Sequence, residues 1–338
     1  MAASCKTVFQ YPDEDMTDTR MDVKTRITVN LTELKMTNHP SVGASNTDKD
    51  IRFVIDFIPI SPTGAVAGER AAQIVAAQPC TGVAVYQLQE IQVKLAPARY
   101  TLLVWADFVD RGTLADKYYD THDLQTVNII PTAVAAGYNV QKDAHAGKGI
   151  LNIAHFAGQN SVPTQTVIVA LIRPFAHYQV VATDVQTYIS FAARNGEPPP
   201  PLSPLTVKCD YGLTHLPSQY NVSTAQVGNY VQMGTYQRSN IALPAADTTL
   251  LLAEDYVLVQ NTNNIYATFT IYRPTTGGTS TFVHNIIDLE QDHKPIQLKR
   301  NQLTIVKGKF LTQDINQGGV GIDDRFKGDT VIYLPNWP

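Results

Sequence analysis

From Asp22 to Leu31 the chain alternates without a break. Val23, Thr25, Ile27, Val29 and Leu31 fall on one side, and Asp22, Lys24, Arg26, Thr28 and Asn30 fall on the other. A period of two is the repeat of a half-buried β-strand, whose successive side chains point to opposite faces. The pattern returns at Arg52–Ile58, at Ile91, Val93 and Leu95, and at Tyr100–Phe108. Further on it marks Val167–Leu171, Gln179–Ala182, Val257–Gln260, Ile265–Tyr272, Ile296–Leu298, Leu303–Val306 and Thr330–Leu334. Turn-forming runs such as Ser61-Pro62-Thr63-Gly64 and Thr275-Thr276-Gly277-Gly278 separate these stretches. Many short strands with few helical segments predict antiparallel β-sandwiches. Helix is expected at two places only, Gly68–Ala77 and one turn over Thr121–Val127.

Composition agrees. Charged residues make up 17% of the chain, against about 25% in an ordinary soluble domain. Thr, Gln, Asn, Ser and Tyr fill the gap, and they suit strand surfaces. The 338 residues suffice for two cores. The run Asn195–Pro204, NGEPPPPLSP, is stiff and cannot donate backbone hydrogen bonds at its four consecutive prolines, so it reads as the linker. The expected organisation is a tether over 1–20, a first sandwich over 21–194, the linker over 195–204 and a second sandwich over 205–338. A net charge of -4 without a basic cluster excludes nucleic acid as the main partner.

Residues that could carry chemistry are scattered. The eight histidines form no metal-binding spacing, and no nucleophile elbow is present. Gly147-Lys148-Gly149 lacks the remainder of a phosphate loop and reads as an ordinary loop. Asp107, Asp110, Asp116, Asp120 and Asp123 fall close together, but their spacing does not match a twelve-residue calcium loop. No metal or other cofactor is expected. Tyr118 and Tyr119, beside Asp107 and Asp116, either form a ligand-binding loop that stacks on sugar rings or pack across strand ends. Trp105 reads as core. Cys80 and Cys209 read as small, partly buried side chains, with a bridge between them as the alternative. The small residues Ala2-Ala3-Ser4 leading into Cys5 match the end of a bacterial lipoprotein signal, so Cys5 is the expected lipidation site.

Three segments carry a resemblance: YTLLVWADFVDRGTLADKYYDTHDL over Tyr100–Leu124, LIRPFAHYQVVATD over Leu171–Asp184, and IQLKRNQLTIVKGKFLT over Ile296–Thr312. Together they resemble the fimbrillin-like surface lipoproteins of Bacteroides and related gut and oral bacteria, in a subgroup without an assigned function. The resemblance implies an all-β chain of two tandem transthyretin-like antiparallel Greek-key β-sandwiches, with the Arg173-Pro174-Phe175-Ala176 strand closing the first. It implies a pilus stalk, tip or anchor subunit in the outer membrane, not an enzyme, with other fimbrial subunits as partners and β-strand addition as the means of assembly. A host or bacterial surface ligand, read by the Tyr/Asp loop of an adhesin, is the alternative.

In stalk subunits of this group an arginine- or lysine-directed protease removes the N-terminal strand. Arg20, Lys24 and Arg26 are the available cuts. Near the C-terminus only Thr330–Leu334 can pair before Pro335 and Pro338, which is short for a donor strand. An anchor or accessory subunit is therefore expected over a stalk subunit.

Overall fold

Strands dominate the computed structural model, which describes residues 6–10, 20–30, 49–61, 69–80, 85–131, 142–159, 161–194, 204–212, 215–232, 234–244, 248–264, 267–275, 278–284, 297–312, 321–323 and 330–333. Residues 195–203 of the expected linker, Cys5 and residues 11–19 of the tether lie outside these residues. So does the Thr276-Gly277 turn. The protein is all-β and its sheets are mostly antiparallel. No helix among the described residues is long and apolar enough to cross a membrane.

The chain forms two units. The first comprises residues 1–130, 140–174 and 219–228. Its strands are β1 (Lys6–Gln10), β2 (Met21–Asn30), β3 (Lys49–Pro59), β4 (Ala72–Pro79), β5 (Val85–Leu95), β6 (Arg99–Asp110), β7 (Tyr119–Asp120), β8 (Val127–Ile129), β9 (Ala144–Asn152) and β10 (Ser161–Ala170). Five of them form a sheet in the order β1-β4-β3-β6-β9, and three form a second in the order β10-β2-β5. Phe53, Ile55, Phe57, Leu102 and Val104 from the first sheet share one core with Val23, Ile27, Val29, Ile91 and Val93 from the second. The alternation of β2 sets this directly. Met21, Val23, Thr25, Ile27 and Val29 are buried, while Asp22, Lys24 and Arg26 are exposed.

The inner strands β3 and β6 of the five-stranded sheet are buried on both faces. Only the two end residues of β6 are exposed. Its second face carries Arg52, Val54 and Asp56 of β3 beside Leu103, Trp105 and Asp107 of β6. The segment after β6 covers this face. Gln219 and Tyr220 also belong to this unit and pair with Asn128 and Val127 of β8.

The second unit comprises residues 131–139, 175–218 and 229–338. It contains β11 (Phe175–Ala182), the helix α1 (Val185–Arg194), β12 (Leu205–Asp210) and most of the hairpin β13 (His215–Asn221) and β14 (Gln226–Gln232). There follow β15 (Thr235–Ile241), β16 (Leu250–Leu258), β17 (Thr262–Asn264), β18 (Thr268–Thr275) and β19 (Gly278–His284). Last come β20 (Gln297–Lys299), β21 (Leu303–Gly308), β22 (Gly321–Asp323) and β23 (Thr330–Tyr333). The sheets β16-β11-β21-β23-β22 and β15-β12-β18-β19 enclose a core of Tyr178, Val180, Val207, Phe269 and Val306, with Val185 and Tyr188 of α1 packed in. Asp184 ties the start of α1 to the turn after β21 by accepting from the Leu311 and Thr312 N–H groups at 3.0 and 2.8 Å.

Several expectations change. The Arg-Pro-Phe-Ala stretch straddles the two units: Arg173 and Pro174 end a segment of the first, and Phe175 and Ala176 start β11 of the second, which pairs with β16 and β21. Gly68–Ala77 is not a helix. Ala72–Pro79 is strand β4, paired with β3 along eight residues. Thr121–Val127 forms turns. The tether contains a strand, since Lys6–Gln10 pairs with Ala72–Ala76 of β4. Gly147-Lys148-Gly149 lies within β9. Side chains there would strike β10: a Cβ on Gly147 collides with the Ala170 carbonyl oxygen, and one on Gly149 lies 2.8 Å from Val169. Among the described residues three pairings are parallel, β2 with β10, β11 with β21, and β21 with β23.

The sheet edges share a device. In the pairings of β5, β10, β15 and β16, each an edge strand, the edge strand holds one extra residue. Such bulges twist an edge away from intermolecular pairing.

Candidate functional site

The acidic loop that stands out in the sequence is a strap across the second face of the five-stranded sheet. Arg52 is its principal fastener. Its Nε and Nη2 donate to the two carboxylate oxygens of Asp107 at 2.8 and 2.6 Å. Its Nη1 reaches out to Asp116 at 2.7 Å and to the Leu114 carbonyl at 2.9 Å. Asp116 also accepts from the Thr121 hydroxyl at 2.7 Å. Arg52 stays charged: burial would lower its pKa, and the two carboxylates more than reverse that. Burial pushes the Asp107 carboxyl up, and the bidentate arginine draws it back.

A second fastener is Asp56, buried on the same face. It accepts from Gln73 at 2.9 Å, Arg70 at 3.2 Å and the Leu124 N–H at 3.1 Å. Gln73 also donates to the Thr121 and His122 carbonyls, and Arg70 donates to the latter. Burial raises the Asp56 carboxyl against these donors. Trp105 closes the arrangement. Its indole N–H donates to Asp107 at 3.2 Å, and its ring meets Tyr119 edge-on at 5.1 Å and Tyr220 at 6.2 Å.

The four residues read as a ligand loop are thus brought together, but they face inward. Asp107 and Tyr119 are buried, and Tyr119 donates to the Lys142 carbonyl. Tyr118 is buried with Lys117 over its ring at 5.4 Å. Asp116 alone of the four is part-exposed, and Arg52 and Thr121 occupy its oxygens. The arrangement holds a loop; it does not present a stacking platform. At the strap's start Lys117 and Lys49 hold the exposed Asp110 carboxyl down at about 2. No group of metal-ligating side chains occurs among the described residues.

The basic residues read as cleavage points differ in setting. Arg20 precedes β2. Lys24 and Arg26 sit inside β2, the middle strand of its sheet, paired on both sides. Cys80 and Cys209 are buried and form no disulfide.

The sequence model of a family of unknown function, DUF6562, matches residues 16–335. The chain belongs to this family. No curated protein matches this DUF6562 member. Among solved structures it is similar to a candidate cell adhesion protein from Bacteroides fragilis, with 12% identity, a TM-score of 0.41, and coverage of 87% of this chain and 87% of that one. It is similar to the fimbrial anchor protein Mfa2 from Porphyromonas gingivalis, with 11% identity, a TM-score of 0.35, and coverage of 93% and 98%. It is also similar to a fimbrial assembly protein from Parabacteroides distasonis, with 11% identity, a TM-score of 0.33, and coverage of 85% and 90%.

Two buried polar groupings in the DUF6562 chain escape a reading of sequence alone. In the first unit Arg173 grips Asp143 through Nε and Nη2, both at 2.6 Å. His145 lies 4.0 Å from the same carboxylate, with its Nε2 buried and unpartnered. Burial, reinforced by Arg173 and opposed by Asp143, drops His145 to about 4. In the second unit Tyr178 and Tyr211 share a hydrogen bond of 2.6 Å, and Tyr211 donates to Asp255 at 2.9 Å. Tyr236 donates to the Glu254 carbonyl at 3.1 Å. Burial raises all three phenols and the nearby Cys209 thiol. The signal for Arg52, Asp56 and Gln73 was present. Charged or amide residues interrupt otherwise apolar runs in IRFVIDF and AQIVA.

Proposed function

We propose that this chain is a cell-surface lipoprotein, anchored in the outer membrane through Cys5, that serves a fimbria as an anchor or accessory subunit and catalyses nothing. The observation that carries the reading is the seating of both end strands. β1 begins one residue after Cys5 and pairs in register with β4. A lipid on Cys5 would therefore hold the fold at a sheet edge. β23 lies between β21 and β22, hydrogen-bonded to each, so it is not free to act as a donor strand.

Other features support the same reading. Lys24 and Arg26 lie mid-strand in a folded sheet, where a protease would have to unzip β2 to cut. That leaves Arg20 as the accessible site. The bulged edges of β5, β10, β15 and β16 disfavour uncontrolled lateral growth. The buried acids Asp107 and Asp143 are each saturated by an arginine, which suits a scaffold better than acid–base chemistry. The partners in this reading are other fimbrial subunits. The fimbrial and adhesion proteins among the structural neighbours are in keeping with it.

Immunogold labelling of native cells tests the proposal. The anchor or accessory reading expects label at the cell surface and at fibre bases or tips. Continuous label along fibre shafts would make the chain a stalk subunit, and intracellular label would remove the proposal.

A further inference from the structure

The outward face of the β10-β2-β5 sheet exposes more cations than acids among its described side chains. Lys24 and Arg26 of β2 and Lys94 of β5 are exposed on it. Alternation along β2 places the first two about 7 Å apart. Lys94 stands across from Asp22 and diagonal to Lys24, within about 8 Å. Asp22 is the one acid on this face among residues whose side chains are described, and none of the three cations forms an ion pair with a described residue. Around them lie exposed Thr166 and Gln92, which carry hydroxyl and amide groups. Ile168, 70% exposed, is the one large exposed apolar side chain on the face among the described side chains. Lys24 and Arg26 are the residues whose mid-strand position makes them poor protease sites, so their exposure calls for another role.

We propose that this face binds an anionic polysaccharide. Its carboxylate or sulfate groups would lie on Lys24, Arg26 and Lys94, and its hydroxyls on the Thr and Gln side chains. The charge is complementary, and an open sheet face fits an extended polymer better than a small molecule in a pocket. Three cations are too few for strong binding to a phosphate backbone. A lone isoleucine is too little apolar surface for membrane insertion. The proposal does not depend on the fimbrial reading and holds whether or not the chain joins a fibre.

The test uses the whole chain over immobilised polygalacturonate and dextran sulfate, with neutral dextran as the blank and anionic phosphatidylglycerol vesicles as the competing surface. The variant Lys24→Gln/Arg26→Gln/Lys94→Gln is compared with a matched loss of charge elsewhere, Arg111→Gln/Lys208→Gln/Lys299→Gln. All six side chains reach solvent, and matching circular dichroism spectra establish that both variants fold. The expected result is binding to at least one anionic polymer with a log K against log salt slope of about -2, from three contacts at about -0.7 each. Affinity should fall at least tenfold in the first variant and less than threefold in the second. No binding to either polymer at low salt, equal losses in the two variants, or binding to the vesicles alone would each overturn the proposal.

Discussion

Replacing Asp107 by Asn removes the charge that faces Arg52 while keeping the size of the side chain. Both partners are almost fully buried, at 2% side-chain exposure each. Removing one member of a buried, hydrogen-bonded ion pair costs about 3–5 kcal/mol, because the other charge is left in a dry interior. Arg52 retains Asp116 and the Leu114 carbonyl, and the new amide oxygen can still accept from Trp105. The expected loss is therefore at the lower end, about 3 kcal/mol. The assay is urea unfolding of the whole chain, followed by Trp105 emission in a Trp337→Phe background, since these are the two tryptophans of the sequence. Arg52→Met should cost a similar amount. That deficit should grow with pH, because an unpaired Asp107 would be held protonated by burial and would resist ionising. The double variant should cost clearly less than the sum of the singles. A loss below about 1 kcal/mol for Asp107→Asn, or strict additivity, would refute the view that this pair fastens the strap.

Other consequences are open to measurement. Gly147→Ala should destabilise the chain by about 1–3 kcal/mol in the same urea assay, because the new methyl meets the Ala170 backbone. Gly112→Ala meets nothing within 4 Å but sits at φ +76, so it should cost only the backbone strain, about 1 kcal/mol. Tyr211→Phe withdraws the phenol that donates to Asp255 and should cost about 1–3 kcal/mol, visible as a lower urea midpoint. His145 stays neutral in the fold down to about pH 4, whereas an unfolded histidine takes up its proton near pH 6.5. Stability should thus be full above that point and fall as the pH drops from 6.5 towards 4, by roughly 3 kcal/mol in all. His145→Gln should remove that part of the acid sensitivity.

Strands with a visible alternation or a long apolar run were legible, among them β2, β3, β5 and β6. β2 and β5 bury alternate residues, so their period was plain. β4 was not legible, because Ala and Gln carry helical propensity and its register against β3 is set by contacts distant in sequence. The glycines of β9 suggested a loop when they serve close packing against β10. At the candidate site the strap's own acids and tyrosines were visible as a cluster. Their partner Arg52 lies more than fifty positions away, and one sequence does not show such a pairing. Lacking it, a buried Asp107 is indistinguishable from an exposed one. Asn301 has φ 57, a left-handed conformation that asparagine tolerates and that is a local signal, whereas the Arg173–Asp143 pair spans thirty positions and is not.

The proposed anchor or accessory subunit would remain on the membrane with its N-terminal strand in place. Intact mass measurement of the protein from native cells, in membrane and sheared-surface fractions, tests it most directly. The account predicts a di- or triacylated species starting at Cys5, retaining β1 and staying with the membrane. A lipid-free species starting just after Arg20, recovered from the sheared fraction, would contradict it and identify a polymerising subunit.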